Sequence, residues 1–340
     1  MRILVTGGSG YIGSHVVKTL AAAGHEPVVL DDLAQGHAAA IPGVPLIRGD
    51  IADAAAVAEA VRGGPVEAAI HLAASCLVGE SMTQPARYYD NNVTRTLRFL
   101  DLIASHGVRK LVFSSTAAVY GDPTESSGGP ITEEHPCKPT NVYGETKRAV
   151  ELALDWYCRA GAIRAVSLRY FNAAGADASG SMGEDHAPET HLIPLVMRAA
   201  MGLVDGVTVF GRDYPTPDGT CLRDYVHVSD LAAAHVLALD ALVGGAGKLK
   251  VYNLGAETAI SVLEVISASR IVTGLDIPTR EGPRRPGDPP VLRASSARIK
   301  EELGWAPAHS SLETILATAW AWHSTHPEGF RSAPRHAESA

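Results

Sequence analysis

Short apolar runs rich in β-branched residues alternate with longer stretches of helical period through the first half of the chain. Ile3, Leu4 and Val5 run into a glycine cluster, after which Ile12, Val16, Leu20 and Ala23 fall on one stripe. A strand, a tight turn and a helix over 11–24 are predicted. The rhythm continues with strands predicted over 26–30, 45–51, 66–72, 109–114 and 163–168, and helices over 54–61, 83–105 and 141–160. Such alternation predicts an α/β fold, a Rossmann-type doubly wound parallel sheet with helices on both faces, in which ligands gather beyond the carboxyl ends of the strands.

Beyond Asn172 the alternation lapses. Segment 176–189 is rich in Gly, Ser, Asp and Glu, and 211–220 carries two prolines, so both read as loops. A helix over 193–201, a strand over 207–210, a helix over 229–242 and a strand over 250–254 lie between and after them, and the 229–254 unit is expected to return to the main sheet. A Pro/Arg-rich loop, 282–290, precedes two terminal helices. The expected division is a dinucleotide-binding domain of 1–171 with 229–260, a smaller C-terminal α/β substrate-binding domain of 172–228 with 261–325, and a polar tail, 326–340, that frays.

Composition narrows the partners. Hydrophobic side chains make up 46% of 340 residues, enough for a large core and a second region. Acids outnumber bases 37 to 29, a net charge of −8, and no Lys/Arg run occurs, which disfavours nucleic acid and anionic membranes and leaves small molecules. The first strand begins at residue 2 with no room for a signal peptide, and no apolar stretch reaches the roughly 20 residues that span a bilayer, so a cytoplasmic protein is expected. Cys76, Cys137, Cys158 and Cys221 lack pairwise spacing and suit reduced thiols. No His-x-x-x-His or His-Glu-x-x-His set occurs, and no metal is expected.

The residues at the predicted strand ends carry the chemistry. In Thr6-Gly7-Gly8-Ser9-Gly10-Tyr11-Ile12-Gly13, Gly7 and Gly10 let backbone N–H groups approach a pyrophosphate and Gly13 allows close helix-strand contact. Asp31-Asp32 closes the second strand at the spacing expected for an acid on an adenosine ribose. Asp50-Ile51, Leu72-Ala73-Ala74, Ser114-Ser115-Thr116 and Tyr170-Phe171-Asn172 each follow an apolar run, so all point toward one crevice. Tyr143 and Lys147 stand four apart on one helix face. A phenol titrates near 10, and a neighbouring ammonium makes it a usable base at neutral pH. Thr116 is placed to shuttle the proton.

These motifs, with Val78-Gly79-Glu80-Ser81, Tyr88-Tyr89-Asp90-Asn91-Asn92, Met182-Gly183-Glu184-Asp185 and the block from Asp213 to His227, resemble the extended short-chain dehydrogenase/reductase family, and within it the enzymes that epimerise UDP-hexoses. The match runs from Met1 to about Trp322. The resemblance implies NAD-dependent 4-epimerisation of UDP-galactose or UDP-glucose through a 4-keto sugar, with Tyr143 as base, Lys147 and Thr116 assisting, and tightly bound NAD regenerated in each cycle. It implies that Asp31, with Asp32 beside it, favours NAD over NADP, and that Asp50, Ile51, Leu72, Ala73, Ala74, Asn91, Ser114 and Tyr170 line the cofactor. Asn172, His191, Leu192, Arg223 and Arg285 go to the sugar-diphosphate side, and Val207, Phe210 and Asp288 to the uridine.

Leu292 falls where relatives limit the sugar 2-substituent, so a 2-acetamido group is expected to fit. Cys76 replaces a lysine that several relatives carry near the nicotinamide, and reads best as a small buried apolar side chain. The alternatives are a UDP-N-acetylhexosamine or UDP-glucuronate 4-epimerase, a nucleotide-sugar dehydratase, and a non-catalytic NAD-sensing protein. A dehydratase needs a carboxylate pair directly after the strand-end hydroxyl, where this chain has Ala117-Ala118. A homodimer through the two long helices is expected from the same resemblance.

Overall fold

The computed structural model describes residues 1–123, 129–242, 247–285 and 288–331. Its first half alternates as the hydrophobic pattern predicts. Strand β1 (Arg2–Thr6) leads into α1 (Tyr11–Ala22), then β2 (Glu26–Asp31), β3 (Leu46–Arg48), α2 (Ala54–Ala60) and β4 (Ala68–His71). Helices α3 (Val78–Thr83), α4 (Pro85–Tyr89) and α5 (Arg95–Ser105) follow, then β5 (Lys110–Thr116), α6 (Val142–Arg159) and β6 (Arg164–Tyr170).

The single helix expected over 83–105 is instead a broken series. Pro85 disfavours a helical conformation at the residue before it, and Gln84 sits at φ −128°, ψ 53°. The chain stops at Thr83 and restarts with Pro85 in the first turn, where its missing N–H costs nothing. A wider π-type turn over Asp90–Thr94 then interrupts the helical ladder before α5. This turn brings Asn91 and Asn92 to the same neighbour, Ser75.

The second half adds β7 (Asn172–Ala174), α7 (Leu192–Ala200), β8 (Val207–Phe210), β9 (Leu222–His227), α8 (Val228–Asp240) and β10 (Lys250–Leu254), then β11 (Ala259–Ser261), α9 (Val262–Thr273), β12 (Thr279–Gly282), β13 (Val291–Leu292), α10 (Ala297–Leu303) and α11 (Leu312–Thr325). Strands β10, β6, β5, β4, β1, β2 and β3 form, in that order, one seven-stranded sheet, and every pairing in it is parallel. The 229–254 unit returns to this sheet through β10 on β6. One apolar layer, with Val16, Val17 and Leu20 of α1 and Leu231, Ala234 and Ala238 of α8, covers one face. Phe99, Leu100 and Ile103 of α5 with Val150 and Leu154 of α6 cover the other.

Strands β9, β11 and β13 with β7, and the β8–β12 pair, form two small sheets built on α7, α9 and α11. Among the described residues no helix is long and apolar enough to cross a membrane. Residues 332–340 of the expected polar tail lie outside the described residues.

Candidate active site

The turn after β1 is built to leave backbone exposed. Gly7 holds φ +69°, a conformation that favours glycine. A β-carbon there would stand 2.6 Å from Ala73 N, and one at Gly13 would overlap the Gly7 carbonyl oxygen. Gly10 begins α1 with no side-chain cap, so the first N–H groups of the helix, those of Tyr11, Ile12 and Gly13, face outward with the positive end of the helix dipole. The Ser9 hydroxyl is buried there without a partner. A cradle that a side chain would fill, helix N–H groups and an orphaned hydroxyl fit the phosphates of a dinucleotide.

The acid at the end of β2 is tied into this turn. Asp31 is 7% exposed, and its carboxylate accepts from Ser9 N at 3.1 Å and Leu33 N at 2.9 Å. Asp32 accepts from Ala34 N at 2.9 Å. Asp50 accepts from Ala52 N and pairs with Arg95, while Ile51 is buried in the core. Leu72 N donates to Thr6 O at 3.0 Å, which runs Leu72, Ala73 and Ala74 past the glycine turn. Asn91 Nδ2 donates to Ser75 Oγ at 3.1 Å, and the next residue of that loop, Cys76, is exposed rather than buried as expected.

The ends of β5 and β6 meet α6. Thr116 and Tyr170 are register partners, and the Tyr170 and Ser114 hydroxyls are hydrogen-bonded. Gly144 lets the first turn of α6 lie against the Ala118 carbonyl, since a β-carbon there would stand 2.5 Å from that oxygen. This contact sets Tyr143 beside Thr116. Lys147, one turn on, is 2% exposed and donates from Nζ to Ser114 O at 2.8 Å, with Nζ 5.9 Å from the Tyr143 ring centre. Burial pulls the ammonium down to about 8, opposed by Cys76 and Glu151. Burial pushes the half-buried Tyr143 phenol well above its usual value, reinforced by Cys76 and Tyr170 and opposed by the Thr116 hydroxyl. Among the protein's own groups, therefore, desolvation sets the direction, and the ammonium that was expected to lower the phenol is not among its main influences.

The second group of residues lies across the cleft. Asn172 donates to Asp224 O at 2.9 Å, directly after Tyr170 and Phe171. Arg223 pairs with Asp288 and donates to Pro289 O at 2.9 Å. The Arg285 guanidinium lies 4.2 Å over the Phe210 ring. Leu292 is the register partner of Arg223 and packs against the apolar cluster that includes Ala117 and Phe171, the chain neighbours of Thr116 and Asn172. His191 starts α7, and its Nδ1 lies 2.6 Å from Glu184 Oε1. Leu192 and Val207 pack in the apolar cluster between α7 and α9, and Val207 is 3% exposed, so its side chain faces the core.

Several residues at the site receive no role from the sequence, although Asn92 and Glu184 stand in its motifs. Asn92 accepts from Ser75 N at 2.8 Å and donates to Thr146 Oγ1 at 3.1 Å, linking the β4 loop to α6. Glu151, fully buried one turn beyond Lys147, accepts from Ser115, Ser167 and both Nε and Nη2 of Arg169 at 2.6–2.9 Å. The spacing of Glu151 from Lys147, i+4 on the helix, is the one available pointer to it. Glu184, His186, Glu189 and His191 come together in the loop before α7. The Glu184 charge dominates at His191 and raises it to about 11 despite burial. Burial would lower His186, but Glu184 and Glu189 raise it to about 10.

A seven-stranded parallel sheet, a glycine turn fitted to phosphates, a strand-end acid and a Tyr/Lys pair on one helix face define a Rossmann-type dinucleotide enzyme of the extended short-chain dehydrogenase/reductase class. Residues 3–255 match the model of the "NAD dependent epimerase/dehydratase family". The UDP-glucose 4-epimerase of Halalkalibacterium halodurans is 49% identical over 330 residues, covering 97% of this chain and 98% of the relative. The Brucella ovis UDP-glucose 4-epimerase solved in complex with NAD is 46% identical with a TM-score of 0.89, covering 94% of this chain and 97% of that one. The Bifidobacterium longum enzyme, solved with NAD+ and UDP, is 37% identical with a TM-score of 0.90 over 97% and 100%. The chain belongs to the NAD dependent epimerase/dehydratase family and, within it, to the UDP-glucose 4-epimerases.

Proposed function

We propose that the chain interconverts UDP-glucose and UDP-galactose at carbon 4 with NAD, using Tyr143 as base and acid and Lys147 and Thr116 as its support. The observation that carries this reading is the meeting of Tyr143, Thr116 and Lys147 at the ends of β5 and β6, beside a turn shaped for a dinucleotide. NAD, when bound, would accept a hydride from carbon 4 and supply it back to the opposite face of the keto sugar, and would add a positive charge near the phenol.

Against that charge Tyr143 deprotonates and takes the proton of the sugar 4-hydroxyl, and Thr116 bonds the same oxygen and relays the proton. Lys147 keeps a positive charge at the end of β5 while the phenolate exists. The 4-keto sugar turns over in the cleft, Tyr143 returns the proton, and the other epimer forms. Gly7, Gly10, Tyr11, Ile12 and Gly13 would hold the pyrophosphate and Asp31 the adenosine ribose. Asn172, His191, Arg223, Arg285, Phe210 and Asp288 would hold the UDP-sugar. Arginine suits the diphosphate because its planar fork bonds two oxygens at once. The proposed division gives 1–171 with 229–260 to the nucleotide and 172–228 with 261–325 to the sugar.

We also propose a homodimer. Helix α6 exposes Leu152 at 51% and Trp156 at 70%, and α3 and α4 expose Val78, Met82 and Tyr89. Apolar surface on neighbouring elements suits a second copy better than water. Cys76, Cys137, Cys158 and Cys221 are free, which supports a cytoplasmic setting. The test is to incubate purified protein with UDP-galactose, without added cofactor, and identify the products. UDP-glucose is expected; unchanged substrate in protein that carries NAD refutes the reading.

A further inference from the structure

Glu184, His186, Glu189 and His191 lie on the loop between β7 and α7, and their ligating atoms all fall within 4.8 Å of one another. His186 Nδ1 is 3.2 Å from Glu184 Oε1 and 3.7 Å from Glu189 Oε2. His191 Nδ1 is 2.6 Å from Glu184 Oε1 and 3.4 Å from Glu189 Oε1. A tetrahedral site with bonds of about 2.0–2.1 Å has ligand-to-ligand edges of roughly 3.3 Å; the Glu184–His186 separation stands near that value, and the remaining donors, all within 4.8 Å of one another, would adjust around an ion.

The loop holds these donors in place. Glu184 O accepts from the indole Nε1 of buried Trp322 at 3.3 Å. Gly183 lies so close beneath that ring that a β-carbon would overlap it. Glu189 Oε1 accepts from Thr190 N and His191 N at 2.7 and 2.8 Å, which fixes the carboxylate with its second oxygen toward His186. His186 Nδ1 is buried and makes no hydrogen bond, although a carboxylate oxygen is 3.2 Å away. Both carboxylates already pair with that ring as an ion pair, so a divalent cation would bind there in place of its proton.

We propose that Glu184, His186, Glu189 and His191 bind one divalent transition-metal ion of the Zn2+ type, as a structural clamp on the loop before α7. Two carboxylates neutralise one dication, and two nitrogens with two oxygens suit Zn2+ rather than the all-oxygen shells of Mg2+ or Ca2+. Four protein ligands leave no open position for chemistry. The rings reach the nucleotide side as well, since His186 lies edge-on to Tyr11 of the glycine turn at 6.3 Å.

The test is to strip the full-length protein with a chelator, titrate it with ZnCl2 and with MgCl2 by calorimetry, and count metal after gel filtration. One Zn2+ per chain and no Mg2+ are expected. The Glu184→Gln/His186→Asn double variant, with unchanged far-ultraviolet circular dichroism, is expected to bind Zn2+ at least 100-fold more weakly. X-ray absorption of the wild-type zinc complex should show nitrogen and oxygen neighbours near 2.0 Å and no sulfur. Absence of retained Zn2+, undiminished binding by the folded double variant, or sulfur ligation would each overturn the proposal.

Discussion

Lys147 Nζ donates to the main-chain carbonyl of Ser114 at 2.8 Å, so the ammonium of α6 is fastened to the end of β5 rather than directed at the phenol beside it. Burial leaves it titrating at about 8. As pH rises through 8 the ammonium loses its charge, and turnover is expected to fall. The loss would not be unfolding caused by this group. Its unfolded value is about 10.4, so between 8 and 10.4 the unfolded chain holds the extra proton, and stability from Lys147 rises with pH. Lys147→Arg, charged throughout, should move the alkaline limb of a kcat–pH profile upward by more than one pH unit. A limb that stays in place in that variant assigns it to another group.

Tyr143→Phe removes only the phenolic oxygen. Turnover of UDP-galactose is expected to drop on the order of 10²- to 10⁴-fold, the usual worth of a positioned acid-base group. Because the glycine turn and Asp31 are untouched, the variant should still purify with nucleotide, measured by acid release and absorbance. Near-wild-type turnover removes Tyr143 from the mechanism.

Glu151 and Arg169 form a buried pair under the same helix, 0% and 3% exposed. Glu151→Gln leaves the guanidinium short of a counter-charge in the core, which costs about 3–5 kcal/mol when a buried pair is broken. Chemical denaturation should report that loss. The variant also withdraws a charge that holds the Lys147 value up, so its alkaline limb should shift to lower pH.

Acid sensitivity is expected from buried neutral histidines. His71, hydrogen-bonded to Thr6 at 2.6 Å and Thr96 at 2.9 Å, is lowered by burial, and secondarily by Lys147, to about 3. Burial likewise lowers His235 to about 4. Below about 6.5 the unfolded chain takes up protons that the folded chain refuses, so stability is lost as pH falls from 6.5 toward 3. At pH 5 the loss is roughly 2 kcal/mol from His71 alone. Thermal melts at pH 7 and pH 5 should show it, and His71→Asn should flatten the dependence.

The main sheet is legible in the sequence because its inner strands, β6, β5, β4, β1 and β2, are largely apolar runs buried on both faces, and the candidate site residues follow those runs directly. The break at Gln84 is not, because apolar periodicity reports burial and continues across Pro85, whereas backbone continuity does not. Strand β9 carries Arg223 and Asp224 as buried polar residues, which defeats a hydrophobic pattern. Helix α9 is missing from the predicted elements, although Ser261 and Glu264, which form a capping box in the structure, carry its start signal. The Glu184–His191 cluster is assembled by a loop pinned to Trp322, a residue more than a hundred positions away, and so has no helical spacing to read.

Leu292 offers the sharpest test of substrate choice. It is paired in register with Arg223 and packs against the apolar cluster that contains Ala117 and Phe171, the chain neighbours of Thr116 and Asn172. A side chain there borders the sugar if Tyr143 and Thr116 meet carbon 4. Leucine is smaller than tyrosine, so room remains for a 2-acetamido group, and the wild-type protein is expected to epimerise UDP-N-acetylglucosamine as well as UDP-galactose. Leu292→Tyr fills that room, so a 2-acetamido group would then have to overpack against the ring, at a cost of about 1–3 kcal/mol. If the bulk falls on the 2-substituent, kcat/KM for the N-acetylated sugar should drop at least 10-fold while that for UDP-galactose changes less than 3-fold. An equal loss on both sugars places Leu292 in the packing of β13 instead, and absence of UDP-N-acetylglucosamine turnover in the wild type refutes the expectation that the acetamido group fits.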